Sequence, residues 1–367
     1  MPFINERLAQ HQQQLEREQH EKVHFEKTLP GQREKTHIEK KVARPSRFKF
    51  EPQDVMAILA TRIVGQTHVL HAMEDMLFTL KADFNSAQRP LSVNLFLGPT
   101  GVGKTETVRV IAEAMLGNAN KICRIDMNTL AQEHYSAALT GSPPGYVGSK
   151  EGQTLFNVDN IKGSFSEPGI VLFDEIEKAN KDVVRAILNV LDTGKLVLTS
   201  GAKELDFSNA LIFMTSNLGV RELTQDIAMH QHGWRKWLGI KSKNKNEILE
   251  AALTAHFDPE FLNRIDRVIP FNRLDSNMLD ELIDIELEKL NQQLGRRNAS
   301  LVLTESACQF LCEGYDQRYG ARSIARRMRI ELEPKLARAL IDFPEAREFT
   351  AAMQNKNLCV TPLNFCT

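Results

Sequence analysis

Long apolar runs are what this 367-residue chain most plainly lacks: none approaches the ~18–20 residues that a membrane-spanning helix needs. The opening Met1-Pro2-Phe3-Ile4-Asn5-Glu6-Arg7 turns polar at once and has no apolar stretch of the kind a secretory leader carries. An excess of charge of either sign is missing too. With a formal net charge of −1, no global field draws the chain to nucleic acid or to an anionic bilayer. Five cysteines are scattered through it. Cys308 and Cys312 stand at helical i, i+4 spacing, but no histidine lies nearby to complete a metal set, so the pair reads as core packing. A soluble protein of a reducing, cytoplasmic compartment is the expectation. No internal repeat is visible.

What is present is concentrated between Leu91 and Thr105. A short apolar run rich in strand formers breaks into Gly98-Pro99-Thr100-Gly101-Val102-Gly103-Lys104-Thr105, and Thr107 to Met115 then reads as a helix. This is the G-x-x-x-x-G-K-[ST] pattern in its strand–loop–helix setting. The glycines let the backbone curl so that successive N–H groups face phosphate oxygens, and the helix N-terminus adds partial positive charge. Lys104 suits the β- and γ-phosphates, and the Thr105 hydroxyl suits Mg²⁺. The expected ligand is a nucleoside triphosphate.

Around this centre the chain divides. Residues 1–49 form a polar, charged arm and linker in which Leu8, Leu15 and Val23 are too widely spaced to bury a core. A frayed tail and a partner-recruiting arm both fit that composition. From Phe50, helices are expected over Gln53–Arg62, Thr67–Phe84 and Lys181–Leu191. They alternate with buried strands over Lys121–Met127, Ile170–Phe173, Ala210–Met214 and Arg267–Phe271. That alternation predicts an α/β domain, 50–271, with a mainly parallel sheet flanked by helices and ligands at the carboxyl ends of its strands. Residues 272–367 read as a smaller, mostly helical α+β domain, with helices over Asn277–Leu294, Glu305–Gly314 and Ala321–Ile341. Strands are expected there at Ser300–Leu303, Phe349–Met353 and Leu358–Pro362.

Two further strand ends carry chemistry. Asp174 closes an apolar run and can hold Mg²⁺, directly or through water, while Glu175 can polarise a water for in-line attack on the γ-phosphate. Asn217, in Met214-Thr215-Ser216-Asn217, could orient that water; taken alone it could equally be a turn residue.

In this order, GPTGVGKT, GSPPGYVG, LFDEIEKAN, MTSNLG, DPEFLNRID and YGAR resemble the Clp-type AAA+ protein unfoldases, most of all the second ATPase module of ClpA, ClpB and ClpC. The resemblance runs from Arg62 to about Ile341. It implies an AAA+ P-loop fold, ATP as the nucleotide with Mg²⁺, and a homohexamer. It makes Arg264 an arginine finger that reaches a neighbour's γ-phosphate, and Arg322 a second sensor on the small domain. Ile63 and Val64 become the adenine contacts, and Tyr146 and Val147 an axial pore loop that grips protein. Arg267 is a rival finger, an ion pair with Asp266 a local use for Arg264, and burial in the core an alternative for Tyr146. Arg326 and Arg327 read as a solvated helix face.

Departures from the family pattern are specific. Ala138 stands where an arginine is usual, and Leu196 to Lys203 lacks the Asp-Gly and Gly-Arg elements. Between Asn217 and Arg264, Leu238-Gly239-Ile240 matches a tripeptide that docks on a peptidase, yet its tryptophan- and lysine-rich setting also fits nucleic acid or a surface loop. The expected function is ATP-driven unfolding by threading. An assembly or disassembly factor for a larger complex, with the arm binding an adaptor, and a nucleic-acid-stimulated ATPase are the alternatives.

Overall fold

The computed structural model describes residues 16–17, 21–22, 46–84, 88–131, 156–197, 204–220 and 245–363. Tyr146, Val147, Ala138, the Leu238-Gly239-Ile240 tripeptide with its two tryptophans, and most of the N-terminal arm lie outside the described residues.

The first set of elements is α1 (Pro52–Arg62), α2 (Thr67–Lys81), β1 (Ser92–Leu97), α3 (Lys104–Leu116), β2 (Cys123–Asp126), α4 (Val158–Lys162) and β3 (Gly169–Asp174). There follow α5 (Lys181–Thr193), β4 (Lys195–Val197), β5 (Glu204–Asp206), β6 (Ala210–Ser216), α6 (Lys245–His256), α7 (Pro259–Leu262) and β7 (Arg267–Pro270). Five strands make one sheet in the order β2-β3-β6-β1-β7, and every pairing in it is parallel. The three central strands are buried at every position, which is why they read as unbroken apolar runs. Successive side chains leave opposite faces. Val93, Leu95 and Leu97 join Phe173, Met214 and Ile187 of α5 in one core. Phe96, Leu172 and Phe213 join Leu59, Met73, Leu77 and Ile111 of the three N-terminal helices in the other.

That second core continues into the C-terminal elements: α8 (Leu279–Gly295), β8 (Ser300–Leu303), α9 (Glu305–Glu313), α10 (Ala321–Arg327), α11 (Glu333–Asp342), β9 (Glu348–Gln354) and β10 (Asn357–Pro362). Here β9 pairs parallel with β8 and antiparallel with β10. Cys308 and Cys312 pack against the same cluster. The junction is stapled by the fully buried Gln66, whose side chain donates to Asn272 O at 2.9 Å and accepts from Asn272 N at 2.9 Å.

The structure corrects several local expectations. β2 is an edge strand, not a wholly buried one; Cys123 and Ile125 face the core while Arg124 and Asp126 face out. α3 begins at Lys104, because Gly103 at φ 104° turns the chain straight into the helix. The expected helix over 321–341 is widened into a π-turn at Met328–Leu332, just ahead of Pro334, which has no N–H to continue the ladder. The β4–β5 hairpin and α6 were not foreseen. In the arm, Glu21 accepts from Ser166 Oγ at 2.9 Å and from the Lys49 ammonium, so this residue is docked rather than merely solvated.

Candidate active site

The phosphate-loop pattern predicts a cradle at the carboxyl end of β1, and a cavity of about 320 Å³ opens there. Its walls include Thr100 to Thr105 of the loop, Arg124 of β2, Asp174 and Glu175 after β3, Asn217 after β6, and Arg322 of α10. Gly101 has φ 76°, and a Cβ there would lie 1.9 Å from Tyr319 O, so only glycine fits beneath the turn leading into α10. Ala321 N–H donates to Gly101 O at 2.9 Å and Thr100 Oγ1 to Arg318 O at 3.2 Å, which ties the loop directly to the C-terminal elements. At the start of α3 the first-turn N–H groups have no acceptor within the helix, and they add to the loop's appetite for an anion.

Lys104 is 8% exposed; its ammonium donates to Pro99 O at 2.9 Å, to Asn217 Oδ1 at 2.8 Å and to Gly98 O. Burial pushes its pKa down to about 8, against the pull of the Glu177, Asp174 and Glu175 carboxylates. Asp174 is 7% exposed and fully engaged. Its Oδ1 accepts from the Thr215 hydroxyl and, at 3.4 Å, from Thr105 Oγ1. Its Oδ2 accepts from Arg124 Nε at 3.1 Å and Nη2 at 2.6 Å.

Glu175 sits at φ 58°, the left-handed region that costs a non-glycine residue ~1–2 kcal/mol. The turn is held by its N–H, which donates to Thr215 Oγ1 at 2.9 Å, and by Asn128 Nδ2, which donates to its Oε2 at 2.6 Å. Strain of this kind at a carboxylate facing a cavity marks a site held for use. Glu177 fixes the neighbouring turn, since its Oε1 accepts from Asn217 N at 3.2 Å. The cavity's other half is apolar, with Ile63 and Val64 after α1 facing Leu274, Leu282, Ile285 and Ala325. That pairing makes a slot suited to a flat ring. At its mouth, Lys289 of α8 bridges Glu106 at 3.1 Å and Glu286 at 2.9 Å.

Arg264 is elsewhere. Asp266 N–H donates to Val93 O at 2.9 Å, so the segment lies at the amino end of β1. At about 3.3 Å per residue that is roughly 16 Å down the strand from Gly98. Its partner is Asp192 of α5 at 2.9 Å, not Asp266, and its side chain stays 35% exposed. Arg267 Nη1 donates to Ser92 Oγ at 3.2 Å. Among the described residues, the α6–α7 segment leading to Arg264 reaches the site where His256 Nε2 lies 3.1 Å from Glu177 O.

Sequence reasoning missed Arg124, Asn128, Thr215 and Glu177. The polar face of Cys123-Arg124-Ile125-Asp126 was the available signal for the first. Thr215 lies inside a motif already singled out, one strand over from Asp174.

Comparison with known proteins is consistent with this geometry. A family model described as AAA domain (Cdc48 subfamily) matches residues 89–268, and one for the C-terminal, D2-small domain of ClpB matches 274–349. An ATP-dependent protease ATP-binding subunit-like protein AmiB from Pseudomonas aeruginosa is 43% identical over 347 residues, 93% of each chain. Chaperone protein ClpB 1 of Thermosynechococcus vestitus is 38% identical over 284 residues, 77% of this chain but 31% of its own length. A closed-state Hsp104 structure with ATPγS and FITC casein superposes at TM-score 0.70 and 29% identity, over 85% of this chain and 52% of that one. The chain thus spans about a third of ClpB and half of Hsp104.

Proposed function

We propose, from the premise that this chain belongs to the Clp/ClpB family of AAA+ ATPases, that it works in the cytoplasm as a homohexamer that threads and unfolds protein substrates. It is an ATPase by family. The observation that carries the reading is the convergence on one cavity of Lys104, Thr105, Asp174, Glu175 and Asn217 from the sheet with Arg322 from the C-terminal elements. A motor needs such a joint, where nucleotide chemistry can change the angle between two bodies.

In this reading the loop N–H groups and Lys104 hold the β- and γ-phosphates, and the Ile63–Val64 slot takes the adenine. Thr105 and Asp174 offer hard oxygen donors 3.4 Å apart, and the described lining holds neither cysteine nor histidine, which fits Mg²⁺. Bound there, Mg²⁺ supplies charge neutralisation for the triphosphate. Glu175 takes the proton of the attacking water, Asn217 orients that water, and Arg322 meets the γ-phosphate from the small domain. Arg264 serves the neighbouring subunit's pocket. Tyr146 and Val147 grip the polypeptide, and the arm receives an adaptor. The name of the P. aeruginosa relative, an ATP-dependent protease ATP-binding subunit-like protein, supports a peptidase partner, for which Leu238-Gly239-Ile240 is the candidate docking tripeptide.

The deciding experiment uses a fluorescent protein fused to an unstructured tail. Wild-type chain should unfold it at the expense of ATP, and Tyr146→Ala should hydrolyse ATP yet leave the fluorescence intact. Wild-type hydrolysis without any unfolding would replace threading by the assembly-factor reading.

A further inference from the structure

We propose that Arg124 is a positioning residue that sets how Asp174 meets a divalent cation. This rests on reading Asp174 and Thr105 as the metal side of the site. The placement begins in the sheet register: Arg124 pairs with Leu172 and Asp126 with Asp174, so the outward face of edge strand β2 lies beside the end of β3. From there the guanidinium reaches one carboxylate oxygen with two N–H groups, at 3.1 and 2.6 Å to Oδ2. The other oxygen, Oδ1, is shared by the hydroxyls of Thr215 and Thr105. Three separate elements therefore fix the carboxylate plane, and they divide its oxygens by function. Oδ1 faces the hydroxyl that belongs to the phosphate loop, and Oδ2 is capped by a cation.

The division has a thermodynamic consequence. A guanidinium on Oδ2 offsets part of the charge that Asp174 offers an incoming metal ion, because like charges sharing a carboxylate compete for it. Arg124 thereby trades metal affinity for a fixed carboxylate. Its side chain is 53% exposed while that of Asp174 is 10% exposed. Solvent therefore screens Arg124 at the cavity edge and moderates the competition.

The test uses the full-length chain with Mn²⁺ as the probe, its binding followed by electron paramagnetic resonance at saturating ADP. Removing the guanidinium in Arg124→Met should tighten Mn²⁺ about three- to tenfold while kcat falls about tenfold and KM for ATP holds. Arg124→Lys, which restores the charge without the two-pronged grip, should return Mn²⁺ affinity toward wild type and leave kcat low. Mere structural damage would weaken Mn²⁺, so unchanged or weaker binding in Arg124→Met overturns the proposal. Should wild-type chain take up Mn²⁺ no better with ADP than without it, the failure lies with the metal-site reading itself.

Discussion

The two ends of one parallel sheet differ in what they can do alone. At the carboxyl ends of β1, β3 and β6, a buried lysine, two carboxylates and an amide close on one cavity, with Arg322 brought in from the C-terminal elements. At the amino end, Arg264 is paired with Asp192 and 35% exposed, a strand's length from the loop in its own chain. A guanidinium so placed cannot serve the pocket beside it. Under the proposed assignment it serves another chain's pocket, and the contrast becomes a statement about assembly: one subunit holds the nucleotide, and two are needed to hydrolyse it.

Breaking the remote end should have the largest effect. In Arg264→Ala, ATP turnover should fall on the order of 10³-fold while affinity for a fluorescent ATP analogue is unchanged. Mixing sharpens the comparison. Lys104→Ala chains, unable to bind nucleotide, still present Arg264, so adding them to Arg264→Ala chains should restore part of the turnover. No recovery on mixing would place Arg264 outside the reaction. The near end comes next: Glu175→Gln should lower turnover ~10²–10³-fold and keep nucleotide bound, because it removes a proton acceptor and no binding contact. Normal turnover in that variant would move the general base elsewhere.

The same contrast explains what could be read from the sequence. Central strands covered on both faces leave unbroken apolar runs, so Ile170–Phe173 and Ala210–Met214 were visible to within a residue or two. The phosphate loop was visible because its glycines and Lys-Thr are adjacent in sequence. Contacts that depend on register between distant segments were not visible. Nothing near Arg124 announces Asp174, and nothing near Arg264 announces Asp192, across 50 residues in the first case. Three-residue strands such as Lys195–Val197 and Glu204–Asp206 carry too little periodicity to register. Pro334 was in plain view, but an apolar stripe continuing past it masked the π-turn it imposes.

A smaller effect comes from pH. Burial depresses the Lys104 pKa to about 8 in the free protein, while a triphosphate beside the ammonium favours its charged form and raises it again. Binding above pH 8 must therefore be accompanied by proton uptake. Affinity should be flat below pH 8 and about tenfold weaker at pH 9. Lys104→Arg, charged throughout, should lose that decline whatever its absolute affinity. A wild-type affinity constant to pH 9.5 would mean either that the free ammonium stays charged to that pH or that Lys104 does not carry the phosphate contact, and direct titration of the lysine separates the two.

The smallest effect probes the seam that joins the near end to the C-terminal elements. Gly320 stands at φ 55°, and a Cβ there would lie 2.5 Å from Gly101 O, on the backbone of the phosphate loop itself. Gly117, at φ 68° and ψ 4°, lies in the left-handed helical region with nothing within 4 Å of the added carbon, whereas Gly320 has ψ −140°. Alanine at Gly117 pays the left-handed penalty, roughly 1 kcal/mol, and at Gly320 a larger one, because positive φ with ψ −140° is a region that glycine alone occupies readily; both should lower the melting temperature, Gly320→Ala by more. Only Gly320→Ala also pushes the turn before α10 off the loop, loosening the Ala321–Gly101 hydrogen bond and withdrawing Arg322 with it. Nucleotide affinity should fall about fivefold in Gly320→Ala and not at all in Gly117→Ala. Equal affinities in the two variants would mean that the seam closes over the pocket without contributing to it, and the convergence at the near end would then belong to the sheet alone.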